Sequence, residues 1–263
     1  MAKESMEGRT ALVTGASSGI GEALAREHAR HGGALVLAAR RRERLEALAE
    51  ELRAQDGTEV TVMTTDLANP GATRKLFDDC ERAELQIDVL INNAGFGGHG
   101  RFLDRDLDDD RRMMQLNMVA LTELCHLFMP GMVERGWGRV LNVGSTAGFL
   151  PGPLQAVYCA SKAYVNSFSQ ALAQELKGTG VHVTVLCPGP VKTEFVQAAD
   201  LEGLEAFKRA PGPQGVAKKG YAAMRRGELL VIDNRALGFL VRNVVPHLPR
   251  RQLLRLSEMT MKK

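Results

Sequence analysis

Short apolar runs alternate with amphipathic segments along most of this chain. The runs fall at residues 9–14, 34–39, 58–64, 87–91, 138–143 and 181–186, and 229–232 is predicted as a last strand. Each run is continuous rather than alternating, which is typical of parallel strands covered by helices on both faces. Helical patterns lie between the runs, the longest at residues 107–135. The pattern predicts one α/β domain with a doubly wound parallel sheet.

Composition fits this prediction and excludes several other classes of protein. A chain of 263 residues with 44% hydrophobic and 25% charged residues is ordinary for one large globular domain. The net charge is only +3, aromatic residues make up 5%, and no basic block is interleaved with aromatics. Nucleic-acid binding is therefore not expected.

The cysteines and the N-terminus indicate a cytoplasmic protein. Cys80, Cys125, Cys159 and Cys187 are far apart and form no CxxC motif, as expected of reduced thiols. The charged N-terminus does not resemble a secretory signal, and the apolar runs are shorter than a membrane span requires. No metal site is predicted.

A glycine-rich turn joins the first predicted strand to the first predicted helix. Gly15 allows a tight exit from the strand, and Gly19 and Gly21 let backbone amides approach an anion at the helix N-terminus. Because the turn lies between a strand and a helix, it predicts a site for the pyrophosphate of a dinucleotide.

The end of the second strand indicates which dinucleotide is bound. A fold that binds NAD usually places an acidic residue about 20 residues after the glycines, to bind the ribose 2′-hydroxyl. Here that position is Arg40, followed by Arg41. A guanidinium can bind a 2′-phosphate, so the sequence favours NADP over NAD. Asp66, after the third strand, is expected to bind the adenine amino group.

Tyr158 and Lys162 are four residues apart in a helical segment, so they lie on one face, one turn apart. An ammonium about 4 Å from a phenol contributes about 4 kcal/mol at an effective dielectric near 20, roughly three pKa units. We therefore expect Lys162 to lower the pKa of Tyr158 toward neutrality, where the phenol could exchange a proton.

These motifs, in this order, resemble the short-chain dehydrogenase/reductase family over about residues 9–195. The matching elements are TGxxxGxG from Thr14, NNAG from Asn92, Asn117, Ser145, YxxxK from Tyr158, and Pro188-Gly189 followed by Thr193. The resemblance implies a three-layer Rossmann-type domain, a nicotinamide dinucleotide and hydride transfer at a carbonyl carbon. It also implies a homodimer or homotetramer.

By this resemblance, four residues are catalytic. Tyr158 would exchange the proton, Lys162 would support it and hold the nicotinamide ribose, Ser145 would bind the substrate oxygen, and Asn117 would anchor a proton-relaying water. The residues expected to bind the cofactor are Gly15, Ser17, Ser18, Gly19, Ile20, Gly21, Arg40, Arg41, Asp66, Leu67, Asn93, Ala94, Gly95, Tyr158, Lys162, Pro188, Gly189, Val191 and Thr193.

The single domain, residues 1–263, divides into three parts. Residues 9–193 form the predicted dinucleotide-binding and catalytic core, and residues 194–226 are expected to form a flap over the substrate. Residues 236–263 mix apolar side chains with arginines and predict a helical extension. That tail either packs on the domain or lies on a membrane surface, and the first alternative is favoured.

The sequence thus predicts a cytoplasmic NADP(H)-dependent oxidoreductase that interconverts a ketone or aldehyde and an alcohol. Analogy with family members that carry a similar tail suggests a lipid-like substrate. One alternative is an NAD-dependent alcohol dehydrogenase. A second is a dinucleotide-binding protein without turnover, although the complete set of catalytic residues argues against it.

Overall fold

The computed structural model describes residues 6–262, and within them seven strands form one parallel sheet. The strands are Thr10–Thr14 (β1), Ala34–Ala39 (β2), Val60–Thr64 (β3), Val89–Asn92 (β4), Gly138–Val143 (β5), Val181–Cys187 (β6) and Leu230–Ile232 (β7). Their order is β3-β2-β1-β4-β5-β6-β7, and every pair is parallel. The predicted doubly wound sheet is confirmed, and each predicted strand begins and ends within two residues of the observed one.

The helices cover both faces of the sheet. They are Gly19–Ala29 (α1), Arg42–Asp56 (α2), Ala72–Arg82 (α3), Leu107–Met114 (α4), Leu121–Glu134 (α5), Ala156–Glu175 (α6), Glu194–Ala198 (α7), Glu205–Lys208 (α8), Pro213–Arg225 (α9), Arg235–Asn243 (α10) and Arg250–Thr260 (α11). One apolar core joins the sheet to α1, α2 and α9 through Leu24, Leu45 and Tyr221. The other joins it to α3, α5 and α6 through Leu76, Leu124 and Val165. Each core joins the sheet to one layer of helices, so the domain has three layers.

The helical segment predicted at residues 107–135 is not a regular α-helix throughout. A π-helical turn, Gln115–Ala120, separates α4 from α5. Such turns are frequent at functional sites. Asn117 lies within this turn and is buried.

The same segment is also more apolar than the sequence analysis allowed. By length and composition alone, the helix Leu107–Glu134 could cross a membrane, contrary to the expectation that no segment reaches that length. Its buried side chains, among them Leu121, Leu124 and Phe128, belong to the second core. Packing within the domain therefore accounts for these buried side chains.

The C-terminal tail packs on the domain. Val241, Val245 and Leu253 form a small apolar cluster against Phe149 and Leu150, which lie in the segment between β5 and α6. At the far end of the tail, Nε2 of His99 lies 2.7 Å from the carbonyl oxygen of Met261. The tail therefore reaches across to the loop that follows β4.

All four cysteines are free and buried, as the sequence predicted for reduced thiols. Burial raises the pKa of Cys159 to about 11 and those of Cys80, Cys125 and Cys187 to about 12. Each thiol is therefore protonated at neutral pH and is a poor nucleophile.

Candidate active site

The glycine-rich turn between β1 and α1 has the backbone conformation that the sequence suggested. Gly15 and Gly19 have φ angles of +67° and +61°, in the left-handed region that favours glycine. A Cβ atom on Gly21 would lie 2.3 Å from Nδ2 of Asn93, so no larger residue fits there. The turn therefore presents bare backbone at the N-terminus of α1, while Ile20 packs into the core.

Asn93 joins this turn to the end of β4. Its Nδ2 donates to the carbonyl oxygens of Thr14 at 2.9 Å and Gly15 at 3.3 Å. The backbone N–H of Ala94 donates to Oγ1 of Thr14 at 3.0 Å. β1 and β4 are the neighbouring strands at which the strand order reverses, and open α/β sheets bind ligands at this position.

The predicted arginines lie beside the turn. Arg41 donates from Nη2 to the hydroxyls of Ser17 at 3.1 Å and Ser18 at 2.9 Å. Arg40 is exposed at the end of β2. Arg41 and the hydroxyls of Ser17 and Ser18 therefore form one cluster of donors, with Arg40 adjacent along the chain, an arrangement suited to a phosphate group.

Arg41 also has an anionic partner that the sequence analysis did not identify. Its Nη1 lies 2.7 Å from Oε2 of Glu194, the first residue of α7, and the other oxygen of Glu194 accepts from Arg44. Arg44 belongs to the same basic run as Arg40 and Arg41, and this run is the sequence feature from which it could have been identified. Glu194 lies 153 residues from Arg41 in sequence, so no local pattern identified it.

Asp66 has a more complex environment than predicted. Its Oδ2 pairs with Nη2 of Arg112 on α4 at 3.0 Å, and its Oδ1 accepts from the backbone N–H of Ala68 at 3.1 Å. The neighbouring Leu67 lines a small apolar cavity with Ala94. Asp66 is held in place by protein groups, and Arg112 is another residue that the sequence analysis did not identify.

The four predicted catalytic residues come together at the carboxyl ends of β4 and β5. Nζ of Lys162 donates to the carbonyl oxygen of Val143 at 2.8 Å and lies 5.9 Å from the centroid of the Tyr158 ring. A Cβ atom on Gly95 would lie 3.6 Å from that Nζ and 3.0 Å from Oδ1 of Asn117. The ammonium and the amide therefore converge on Gly95.

Asn117, within the π-helical turn, is fixed by a set of hydrogen bonds. Its Oδ1 accepts from the backbone N–H of Phe96 at 3.2 Å, and its Nδ2 donates to the carbonyl oxygen of Phe96 at 3.0 Å. Nδ2 also donates to Oγ of Ser161 on α6 at 3.1 Å. Asn117 thus connects the segment after β4 to the helix that carries Tyr158 and Lys162.

Ser145 directly follows β5 and lies beside the phenol. Its Oγ accepts from the backbone N–H of Ala147 at 3.0 Å, and its carbonyl oxygen accepts from Nδ2 of Asn166 at 3.0 Å. The Ser145 side chain also hydrogen-bonds Tyr158. The two hydroxyls therefore face one position, where a substrate oxygen could contact both.

The electrostatics differ from the sequence-based expectation. Burial raises the pKa of Tyr158 above its ordinary value, and the hydrogen bond with Ser145 only partly opposes this. Burial also lowers the pKa of Lys162 to about 8. The expectation that Lys162 lowers the pKa of Tyr158 was wrong for the protein alone, because burial of the phenol dominates its pKa and the group that opposes this is Ser145, not Lys162.

The segment after β6 faces the glycine-rich turn. The carbonyl oxygen of Pro188 accepts from the N–H of Thr146 at 2.9 Å, and the N–H of Gly189 donates to Oδ1 of Asp233 at 2.8 Å. Val191 is buried. A Cβ atom on Gly19 would lie 3.2 Å from Cγ2 of Thr193, so the two sides of the crevice are in contact there.

Phe195 is a further site residue that the sequence analysis did not assign. Its ring lies 5.5 Å from that of Tyr158, measured between centroids. A Cβ atom on Gly97 would lie 2.7 Å from Cζ of Phe195. The first turn of α7 therefore covers the phenol.

Known proteins show the same combination of fold and motifs. A model of the short chain dehydrogenase family matches residues 9–202. The chain belongs to this family. It is accordingly an oxidoreductase built on a nucleotide-binding Rossmann-type domain, as the sequence predicted.

Two relatives and one solved structure show the extent of the similarity. A short chain dehydrogenase of Pseudocercospora fijiensis is 36% identical over 192 residues, which are 72% of this chain and 62% of that protein. The NADP-dependent 3-hydroxy acid dehydrogenase of Salmonella typhi is 39% identical over 186 residues, 70% of this chain and 73% of that protein. The structure of a short-chain dehydrogenase from Sphingobium yanoikuyae in complex with NADPH superposes with a TM-score of 0.81, at 32% identity, and covers 92% of this chain and 97% of that one.

Proposed function

We propose that this protein is an NADP(H)-dependent oxidoreductase that interconverts a ketone or aldehyde and the corresponding alcohol. The observation that carries the proposal is the convergence of Tyr158, Ser145, Lys162 and Asn117 beside the glycine-rich turn. A bound nicotinamide would supply or accept the hydride at the substrate carbon.

The residues present fit an anionic dinucleotide. The bare backbone of the glycine-rich turn and the N-terminus of α1 suit a pyrophosphate. Arg40, Arg41 and the hydroxyl of Ser17 suit a 2′-phosphate, and a carboxylate is missing where NAD would need one. The NADP-dependent relative and the NADPH-bound neighbour described above support the same choice.

In the direction of reduction, Ser145 would donate a hydrogen bond to the carbonyl oxygen. Tyr158 would give its proton to that oxygen as negative charge develops there, and the resulting phenolate would be stabilised by the ammonium of Lys162. Asn117 would hold the segment at Phe96 and anchor the route by which Lys162 and Tyr158 regain the proton. In oxidation the same groups would act in reverse.

The walls around the phenol favour an apolar substrate. Phe195 lies against Tyr158, and beyond it the side chains of Ala199, Leu201 and Leu204 form an apolar cluster that Met261 joins. These contacts support the assignment of residues 194–226 as a flap and of the C-terminal tail as one side of the substrate cleft. A ketone attached to a ring or an acyl chain matches this lining better than a sugar does.

The test is a panel of ketones, 3-oxoacyl thioesters, sugars and steroids, followed by the absorbance of NADPH. Tyr158→Phe should lose at least about a hundredfold in kcat. Tyr164→Phe is the matched control, because Tyr164 lies on the same helix and its hydroxyl contacts Thr122 at 2.7 Å, away from the site. Undiminished turnover in Tyr158→Phe would refute the assigned acid, and no turnover of any substrate by the native protein would favour a non-catalytic dinucleotide-binding protein.

We also propose a homodimer or homotetramer in the cytoplasm. Val119 and Tyr164 are partly exposed on the outer faces of the long helical segment and α6, at 39% and 36%. Light scattering with size-exclusion chromatography would measure the mass, and a monomer at micromolar concentration would contradict the assembly. The packing of Val241, Val245 and Leu253 on the domain supports the alternative in which the tail belongs to the domain.

A further inference from the structure

The carboxylate of Glu194 lies between Arg41 and Arg44, beside the proposed 2′-phosphate site. One oxygen is 2.7 Å from Nη1 of Arg41, and the other accepts from Nη1 of Arg44. The hydrogen bond from Arg41, followed by that from Arg44, holds the pKa of Glu194 below its ordinary value. Glu194 is therefore an ionised counter-anion for both guanidinium groups at neutral pH.

Arg41 cannot serve Glu194 and a phosphate fully at the same time. A guanidinium has five N–H donors, and here Nη1 binds Glu194 while Nη2 binds the hydroxyls of Ser17 and Ser18. Bidentate binding of a phosphate uses two parallel N–H groups of the same fork. A 2′-phosphate that binds Arg41 through Nη1 and Nη2 displaces the carboxylate of Glu194, whereas one that binds through Nε and Nη2 displaces the hydroxyl of Ser17.

Glu194 also directly precedes Phe195, whose ring lies against the catalytic tyrosine. It is the first residue of α7, and the next residue, Phe195, lies with its ring 5.5 Å from that of Tyr158. Thr193, the residue before it, accepts from the N–H of Phe195 at 3.3 Å and starts the helix. The ion pairs of Glu194 therefore tie the start of the helix that covers Tyr158 to Arg41 and Arg44, and their loss removes those contacts.

We propose that Glu194 is a specificity-determining residue that competes with the 2′-phosphate of NADP(H) for Arg41 and Arg44, and that this competition releases α7 from Tyr158. The inference rests on the proposed function. NAD(H) lacks the phosphate, so it leaves Glu194 bound to the arginines and Phe195 in place over Tyr158. The two cofactors then differ in the position of the flap that each produces, as well as in affinity.

The first test measures the dissociation constants of NADPH and NADH by fluorescence titration. Exposed ion pairs are weak, so Glu194→Gln should lower the Kd of NADPH by about 2- to 5-fold and leave that of NADH unchanged. Glu46→Gln is the matched control. Glu46 lies near Arg42 on α2 and has a similarly exposed side chain, and the substitution removes the same charge. An unchanged NADPH Kd in Glu194→Gln, or an equal effect in Glu46→Gln, would overturn the inference.

The second test measures amide hydrogen exchange in residues 194–198, using adenosine 2′,5′-bisphosphate as the probe and AMP as its control. The bisphosphate carries the 2′-phosphate without the nicotinamide, so it cannot order the flap from the other side. It should speed exchange in the native protein, whereas AMP should not, and in Glu194→Gln exchange should be fast without either. Exchange that is unaffected by the bisphosphate would refute the release of α7.

These results separate the two proposals. If the native protein binds NADH as tightly as NADPH, the cofactor assignment fails and the role of Glu194 fails with it. If the native protein prefers NADPH and Glu194→Gln keeps the same preference, only the role of Glu194 fails.

Discussion

Nδ2 of Asn117 donates a hydrogen bond to Oγ of Ser161 at 3.1 Å, between the π-helical turn and α6. The same amide group binds the backbone of Phe96. One side chain therefore sets the distance between the loop after β4 and the helix that carries Tyr158 and Lys162.

Replacing Asn117 tests this positioning role. In Asn117→Ala we expect kcat to fall by about tenfold or more while KM for NADPH changes little. Because buried hydrogen bonds are lost, the free energy of unfolding should also fall by about 1–3 kcal/mol. Steady-state kinetics and denaturant titration measure the two effects. Ser161→Ala removes only one of these hydrogen bonds, so it should lower kcat and the free energy of unfolding by less. An unchanged kcat in Asn117→Ala would contradict the positioning role.

The pH dependence of reduction follows from the two shifted pKa values. Tyr158 has a raised pKa and keeps its proton at neutral pH, while burial lowers the pKa of Lys162 to about 8. Above that pH Lys162 loses the charge that stabilises the phenolate, so kcat/KM for reduction should be flat below about pH 8 and fall above it. In Lys162→Arg the fall should disappear from this range, because a guanidinium stays charged. A reduction rate that climbs steadily with pH would exclude Tyr158 as the acid.

Arg40 should control the preference between cofactors. Arg40→Asp removes a charge-assisted hydrogen bond of about 1.5–3 kcal/mol to the 2′-phosphate, which is roughly a ten- to hundredfold loss in the NADPH-to-NADH ratio of kcat/KM. Arg42→Asp is the control, since Arg42 points to Glu46 on α2 at 3.5 Å and undergoes the same change of charge. Equal effects of the two variants would show a general effect of charge, without a specific contact from Arg40.

Buried His28 should make the protein sensitive to acid. Its Nδ1 lies 2.8 Å from the hydroxyl of Tyr221, and burial lowers its pKa from 6.5 to about 4. The unfolded chain therefore binds a proton at a higher pH than the folded one, so stability is full above pH 6.5 and declines as the pH falls toward 4. The loss attributable to this group is at most about 3 kcal/mol.

Urea denaturation between pH 7 and pH 4 measures that decline. His28→Gln should be less stable at neutral pH and should show a shallower decline toward acid. His31→Gln is the control, because His31 is only partly buried and contacts the carbonyl oxygen of Glu27. A native protein whose free energy of unfolding is constant over this range would contradict the assignment.

The sequence was informative where chemistry depends on neighbours along the chain. The glycine-rich turn, the spacing of Tyr158 and Lys162, and the continuous apolar strands are local patterns, and the structure has each of them where it was predicted. Arg40 and Arg41 were likewise identified from one strand end. The predicted roles of the individual site residues remain predictions.

The sequence was uninformative where a contact joins distant segments. Asp66 meets Arg112 across 46 residues, and Glu194 meets Arg41 across 153. The pKa of Tyr158 was predicted in the wrong direction because spacing gives the distance to Lys162 but not the loss of water around both groups. The π-helical turn at Asn117 also has no local signature beyond an unfavourable residue in a helix.

Because its four thiols are buried and protonated, the native protein should react only slowly with maleimide reagents at neutral pH. A single cysteine introduced on α7 at the exposed Ala198 would then be the one readily labelled position. A fluorophore attached there could follow opening and closing over Tyr158 in real time, in an otherwise unmodified background.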